Sequence, residues 1–288
     1  MAGFKYYHYD PSFAAAVIFA LLFIAATFRH IQLLLRNKTW YFIPFIIGCL
    51  FEAGGYISRA VSARQTPDWT LMPYIIQSLL TLLGPTFFAA SIYMILGRLI
   101  VFLEADTYAM IRPRWLTKFF LLGDILSFFG QGGGGILASA KSESSQSLGN
   151  KIILLGLAIQ VIFFGLFIIV ALVFHIRITK RPSPKSLATT APWQKFLYVL
   201  YFTSLLIMIR SVFRMAEYAQ GNDGSLLQKE AYSYVLDALL MFIVTGCFIF
   251  FHPSKVLKRE AAIPSEIIGL QENGDSYPMS KGNGFERI

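Results

Sequence analysis

The sequence predicts an all-α fold, a bundle of seven transmembrane helices with the N-terminus outside and the C-terminus cytosolic. Three observations carry this. The 288 residues are 56% hydrophobic and only 14% charged, where a soluble domain carries about a quarter charged residues. The apolar residues fall in seven runs, each long enough to cross about 30 Å of hydrocarbon. Of the 25 Lys and Arg, 17 lie in or beside the first, third and fifth loops and the C-terminal tail, against 6 in or beside the N-terminus and the even loops. Such a bias orients a polytopic chain with its basic loops inward. The net charge of +9 is then a product of topology, and no nucleic-acid partner is expected.

The first run, Ser12–Leu35, has no basic segment before it and continues too far for a cleaved leader, so it reads as a retained helix. Trp40–Ala60 follows, then Leu71–Leu96, whose Pro85 removes a helical hydrogen bond and predicts a kink near mid-membrane. The fourth run, Trp115–Ser139, contains Gly132-Gly133-Gly134-Gly135. Glycines there permit close approach of a neighbour or a ligand, or a local break. Pro85, Gly132, Gly133 and Gly134 are therefore candidate gate or close-packing positions. Asn150–His175, Lys195–Tyr218 and Ala231–His252 complete the set. All four tryptophans, Trp40, Trp69, Trp115 and Trp193, stand at or just before a helix start, where aromatic belts form. Residues 1–252 make one membrane domain. Residues 253–288, rich in Gly, Ser, Asn, Pro and charge, read as a disordered cytosolic tail.

Polar residues inside these runs are the functional candidates. Arg210, Arg214 and Glu217 stand at i, i+4 and i+7 and share one helix face, as do Glu52, Tyr56 and Arg59. Gln77, Asp124, Gln131, Gln160 and Asp237 add to them, mostly from mid-membrane outward. A lone charge at mid-membrane costs about 2.5–3.5 kcal/mol on insertion scales, so partners or a wet cavity are required. Four acids, Glu52, Asp124, Glu217 and Asp237, against Arg59, Arg210 and Arg214 predict an internal ion-pair network. The reversed order of the two stripes predicts that they oppose each other, each Arg meeting an acid. Such a network either fixes helix register or lines an outward-opening cavity for an amphipathic small molecule or membrane lipid.

Other chemistries are disfavoured. Cys49 and Cys247 lie inside apolar runs without disulfide or metal-ligand spacing. His8, His30, His175 and His252 sit at termini or helix ends and do not converge on a metal site. No zinc-protease, nucleophile-elbow or Ser/His/Asp grouping is present. Neither enzymatic activity nor a cofactor or metal is expected, and composition leaves the oligomeric state open.

Glu52-Ala-Gly-Gly55-Tyr56-Ile-Ser-Arg59 resembles the E-x-x-G-Y-x-x-R motif of the fungal lipid-translocating exporters, a family named for resistance to 7-aminocholesterol. Gly84-Pro85 with Ala89-Ala90-Ser91-Ile92-Tyr93, Asp124-x-x-Ser127-x-x-x-Gln131, and Gly156-Leu157-x-x-Gln160 fit in order. So do Arg210-x-x-Phe213-Arg214-x-x-Glu217 and Glu230-x-x-x-Tyr234-x-x-Asp237. Gly84 and Phe213 depart from the family pattern, where Ala and Tyr are frequent. The resemblance implies a seven-helix fungal protein, often of the plasma membrane and tied to lipid or drug tolerance. It adds Tyr93 to the candidate site. Implied cargoes include sphingoid bases, sterol-like amphiphiles and porphyrins, carried by a floppase-like exporter. A receptor or stress sensor is the alternative, and a membrane-embedded lipid hydrolase the third reading. The acids suit a cationic head group and the arginines an anionic one, so the sequence leaves that choice open.

Overall fold

The computed structural model describes residues 11–66, 70–138, 142–220 and 230–257. Seven helices among them are long and apolar enough to cross a membrane, and no strand occurs among the described residues. The chain is a multi-pass membrane protein. Its helices are α1 (Phe13–Asn37), α2 (Ile43–Arg64), α3 (Leu71–Phe102), α4 (Pro113–Ala138), α5 (Glu143–Lys180) and α6 (Trp193–Gln220). The seventh, α7, is a composite of Glu230–Ser233, a π-helical stretch Tyr234–Leu239, and Leu240–Phe250.

Two helices outrun the sequence expectation. α3 continues to Phe102, and α5 begins at Glu143 and ends at Lys180. With 38 residues α5 is about 57 Å long at 1.5 Å per residue, nearly twice the hydrocarbon thickness. Hydropathy finds only the part of a helix that lies in hydrocarbon. The polar turns at each end of α5 keep helical backbone without an apolar signature.

Large apolar side chains point both ways, as a membrane bundle requires. Leu21, Phe129, Leu155 and Ile162 are exposed on the lipid side, while Phe42, Phe45, Phe88 and Phe248 are fully buried. Within that core Phe42 stacks on Phe45 at 4.5 Å, and Phe45 meets Phe88 and Phe248 at 4.6 and 5.0 Å. His30 Nε2 donates to the Thr245 carbonyl at 3.2 Å, tying α1 to α7. Trp40 and Trp115 are 60% and 63% exposed, as belt residues should be. Trp193 departs from that expectation. It is buried, and its Nε1 donates to the Ser186 carbonyl at 3.3 Å, fastening the short Pro184–Ala188 helix to α6. Trp69 lies outside the described residues.

The start of the tail also differs from expectation. Pro253 and Val256 are buried and Ser254–Leu257 forms a helical turn, because Val256 docks in the main apolar core. The rest of the expected tail lies outside the described residues.

The glycine run leaves α4 unbroken. Only Gly134 of the three candidates is a close-packing position. A Cβ there would lie 2.8 Å from the Gly149 carbonyl oxygen and 2.8 Å from the Ile153 nitrogen of α5, both backbone atoms. Gly132 and Gly133 face open space, because the turn of the helix carries them off the α5 seam. Gly134→Ala is expected to lower stability by about 1–3 kcal/mol through overpacking. Gly133→Ala is expected to be neutral, or to raise it by up to about 1 kcal/mol through helix propensity. Thermal unfolding of the detergent-purified variants checks both.

Candidate functional site

The site is built on a missing hydrogen bond. Pro85 has no N–H, so the carbonyl one turn earlier, at Thr81, loses its helical donor. Arg210 of α6, fully buried, supplies another: its Nη2 donates to Thr81 O at 2.5 Å. Its Nε donates to Asp237 Oδ1 at 2.7 Å, an ion pair shielded from solvent on both sides. Asp237 sits in the π-helical stretch of α7, and such wide turns re-aim side chains and recur at functional sites. One guanidinium therefore joins the carbonyl that Pro85 leaves without a donor in α3 to the π turn in α7.

Arg214, one turn on, pairs with Glu217 Oε2 at 2.7 Å and lies 4.0 Å from Asp237 Oδ2. Arg59 of α2 reaches a different end of α7. Its Nη2 meets Glu230 Oε1 at 3.0 Å, its Nε donates to the Tyr234 hydroxyl at 3.0 Å, and its guanidinium lies 4.9 Å from the centre of that ring. Glu230 also accepts from the Ser12 backbone N–H at 2.9 and 3.0 Å, which holds the start of α1. Tyr56 is packed in an aromatic group with Phe19, Phe23 and Tyr234.

Glu52 is the exception. It is 0% exposed, and neither carboxylate oxygen has a hydrogen-bond partner among the described residues. Arg210 Nη1 and Arg214 Nε are likewise buried without an acceptor there. The charges of Asp237, Arg210 and Arg214 all act on Glu52. Its side chain fits against α3 only because residue 84 is glycine. A Cβ at Gly84 would fall 2.5 Å from Glu52 Oε1.

Two sequence expectations are corrected by this geometry. The stripes of α2 and α6 do not pair with each other. Arg59 finds its acid on α7, Arg210 finds Asp237 on α7, and Arg214 finds Glu217 on its own helix. The reason is that α7 presents Glu230, Tyr234 and Asp237 at i, i+4 and i+7, and so serves both neighbours. Nor does Asp124 belong to the ion pairs. It accepts from the Tyr93 hydroxyl at 3.0 Å, between α3 and α4. Gln131 donates to Ser127 Oγ at 2.6 Å and to Gln160 Oε1 at 3.2 Å, while Ser127 donates to the Gly156 carbonyl at 2.6 Å. Ser127, Gln131, Gln160 and the Gly156 carbonyl form a second, uncharged cluster joining α4 to α5. Gln77 is half-buried on α3, where its backbone carbonyl accepts from Thr81 Oγ1 at 3.0 Å.

Glu230, Tyr234 and Thr81 were missing from the sequence-derived site. Glu230 and Tyr234 carry the same stripe spacing as the other two helices, but lie too near a helix start to stand out as intramembrane charge. Thr81 acts through its backbone, and its only sequence signal is a proline four residues later.

The sequence profile of the family described as "RTA1 like protein" matches residues 45–260, which takes in the whole network from Glu52 to Asp237. Similar proteins include "Protoporphyrin uptake protein 1" of Saccharomyces cerevisiae, 36% identical, with 86% of this chain and 91% of that protein covered. "Protein RTA1" of the same yeast is 34% identical over 96% of this chain and 94% of its own length. A yeast "Sphingoid long-chain base transporter RSB1" is 29% identical, covering 84% and 71%. No solved structure matches. Profile and relatives cover the membrane bundle and its charged residues together: the chain belongs to the RTA1-like family, the fungal lipid-translocating exporters.

Proposed function

We propose that this protein carries amphipathic lipids with a cationic head group across the membrane, and that the head group is received at Glu52. The observation that carries the reading is the balance of charge in the network. Arg59, Arg210 and Arg214 each have an acid, Glu230, Asp237 and Glu217. Of the acids on which these arginines act, Glu52 is left over, fully buried, with two unsatisfied acceptors. An ammonium group supplies both a counter-charge and up to three N–H donors. The adjacent Arg210 Nη1 and Arg214 Nε can donate to hydroxyl oxygens on the same head group. Relatives named "Probable lipid transporter atnI" and "Sphingoid long-chain base transporter RSB1" support the cargo class.

In this reading the N-terminus faces outward and the basic loops face the cytosol, in the plasma membrane, and lipid moves by a floppase-like route. Purified protein in liposomes tests it. A labelled sphingoid base should cross between leaflets faster than in empty liposomes, and a labelled fatty acid of equal chain length should not. Faster movement of the fatty acid overturns the cationic assignment. Binding of the base with no movement of either lipid moves the chain to a second reading, a seven-helix lipid sensor, which the tight packing around Arg210 favours.

A further inference from the structure

A second site lies at the opposite end of the bundle, where the basic loops emerge. A cavity of about 450 Å³ is lined by Thr107, Tyr108, Arg177, Lys180 and Arg181. Its walls are the short helical turn Asp106–Tyr108 after α3 and the last turn of α5. They are held in place by two bonds. Arg177 Nη1 donates to the Tyr108 carbonyl at 3.3 Å, and Ser183 Oγ, buried, donates to the Leu103 carbonyl at 2.7 Å.

Three cations line the cavity and no acid does. The acids nearest in sequence, Glu104 and Asp106, are exposed and outside the lining. Lys180 and Arg181 form no ion pair with another described residue. The basic end also continues an apolar track. Ile169, Leu172 and Ile176 of α5 are all exposed and recur at i, i+3 and i+7, and Lys180 follows one turn after Ile176 on the same face. A lipid lying on α5 would rest its acyl chain on the three apolar residues and place its head at the cavity. Basic pockets of this kind, at the membrane boundary between helices, suit anionic head groups.

We propose that this cavity binds the phosphate group of an anionic membrane lipid, a phosphomonoester head whose two negative charges meet Arg177, Lys180 and Arg181. Thr107 and Tyr108, in the same lining, bring hydroxyls of the type that donates to phosphate oxygens. The site is distinct from the Glu52 network, and the proposal stands whether or not the protein transports lipid.

The test uses the purified full chain with three probes: dioctanoyl phosphatidic acid, dioctanoyl phosphatidylcholine and inorganic phosphate. The variant is Lys180→Gln with Arg181→Gln, two exposed positions that leave the Arg177–Tyr108 bond in place. Phosphatidic acid should bind the wild type and bind the variant roughly thirty-fold more weakly, from about fivefold per cation near an anionic surface. Unchanged binding in the variant, or equally tight binding of phosphatidylcholine, overturns the proposal. Inorganic phosphate displacing the lipid at comparable concentration would make this a free-anion site and overturn the lipid assignment. If the variant's Tm falls, the wild type carries the test alone, since binding that does not weaken between about 50 and 500 mM salt excludes a charge-led site.

Discussion

Replacing Arg210 by alanine should abolish the folded, monodisperse protein. The guanidinium is fully buried and serves two helices at once, Asp237 through Nε and the Thr81 carbonyl through Nη2. Removing it leaves a carboxylate and a backbone acceptor stranded in an apolar interior. Breaking one side of a buried pair costs about 3–5 kcal/mol, and the orphaned carbonyl adds about 1–3 kcal/mol. That sum rivals the whole stability of an ordinary domain, about 5–15 kcal/mol. Arg210→Lys keeps the charge but has no fork to span both acceptors, so it should fold with a lowered Tm. The double variant Arg210→Ala with Asp237→Ala removes the stranded carboxylate and should recover part of the loss. Size-exclusion profiles and thermal melts read all three. A single alanine variant that melts like the wild type would show that the pair does not hold the bundle.

Glu52→Gln should separate function from folding. No ion pair or hydrogen bond anchors the carboxyl group among the described residues, so replacing it breaks no bond. Glutamine keeps the shape that fits against Gly84. Stability should therefore hold within about 1 kcal/mol, because the substitution breaks no bond and exchanges one buried polar group without a partner for another of the same shape. Protection of cells against added sphingoid base should fall to the level of the deletion strain at equal surface expression. Full protection by this variant would remove Glu52 from the cargo site.

The seven spans were legible because hydrocarbon demands long apolar runs, a signal that survives without any knowledge of packing. The charged members of the site were legible for the converse reason, since Arg210, Arg214, Glu217 and Asp237 stand out against such runs. Pairing was not legible. Two stripes of matching reversed order invite a match, but the choice among acids depends on which helices touch, and the π turn that aims Asp237 has no sequence signature. The ends of α5 were missed because a helix leaving the membrane changes composition without changing backbone. Trp193 was misplaced because position at a helix start does not tell whether the ring meets lipid or the Pro184–Ala188 helix.

The bond from Arg210 to Thr81 couples Pro85 and Arg210 through one shared carbonyl. A proline deprives α3 of one donor, and an arginine from α6 replaces it. Pro85→Ala would restore an N–H competing for the same carbonyl, leaving the arginine with a spare arm, so a double-mutant cycle between the two positions should show coupling. Any descendant that discards the proline relaxes the demand on the arginine. One that discards the arginine first leaves the proline break unmended, so the order of the two losses is not free.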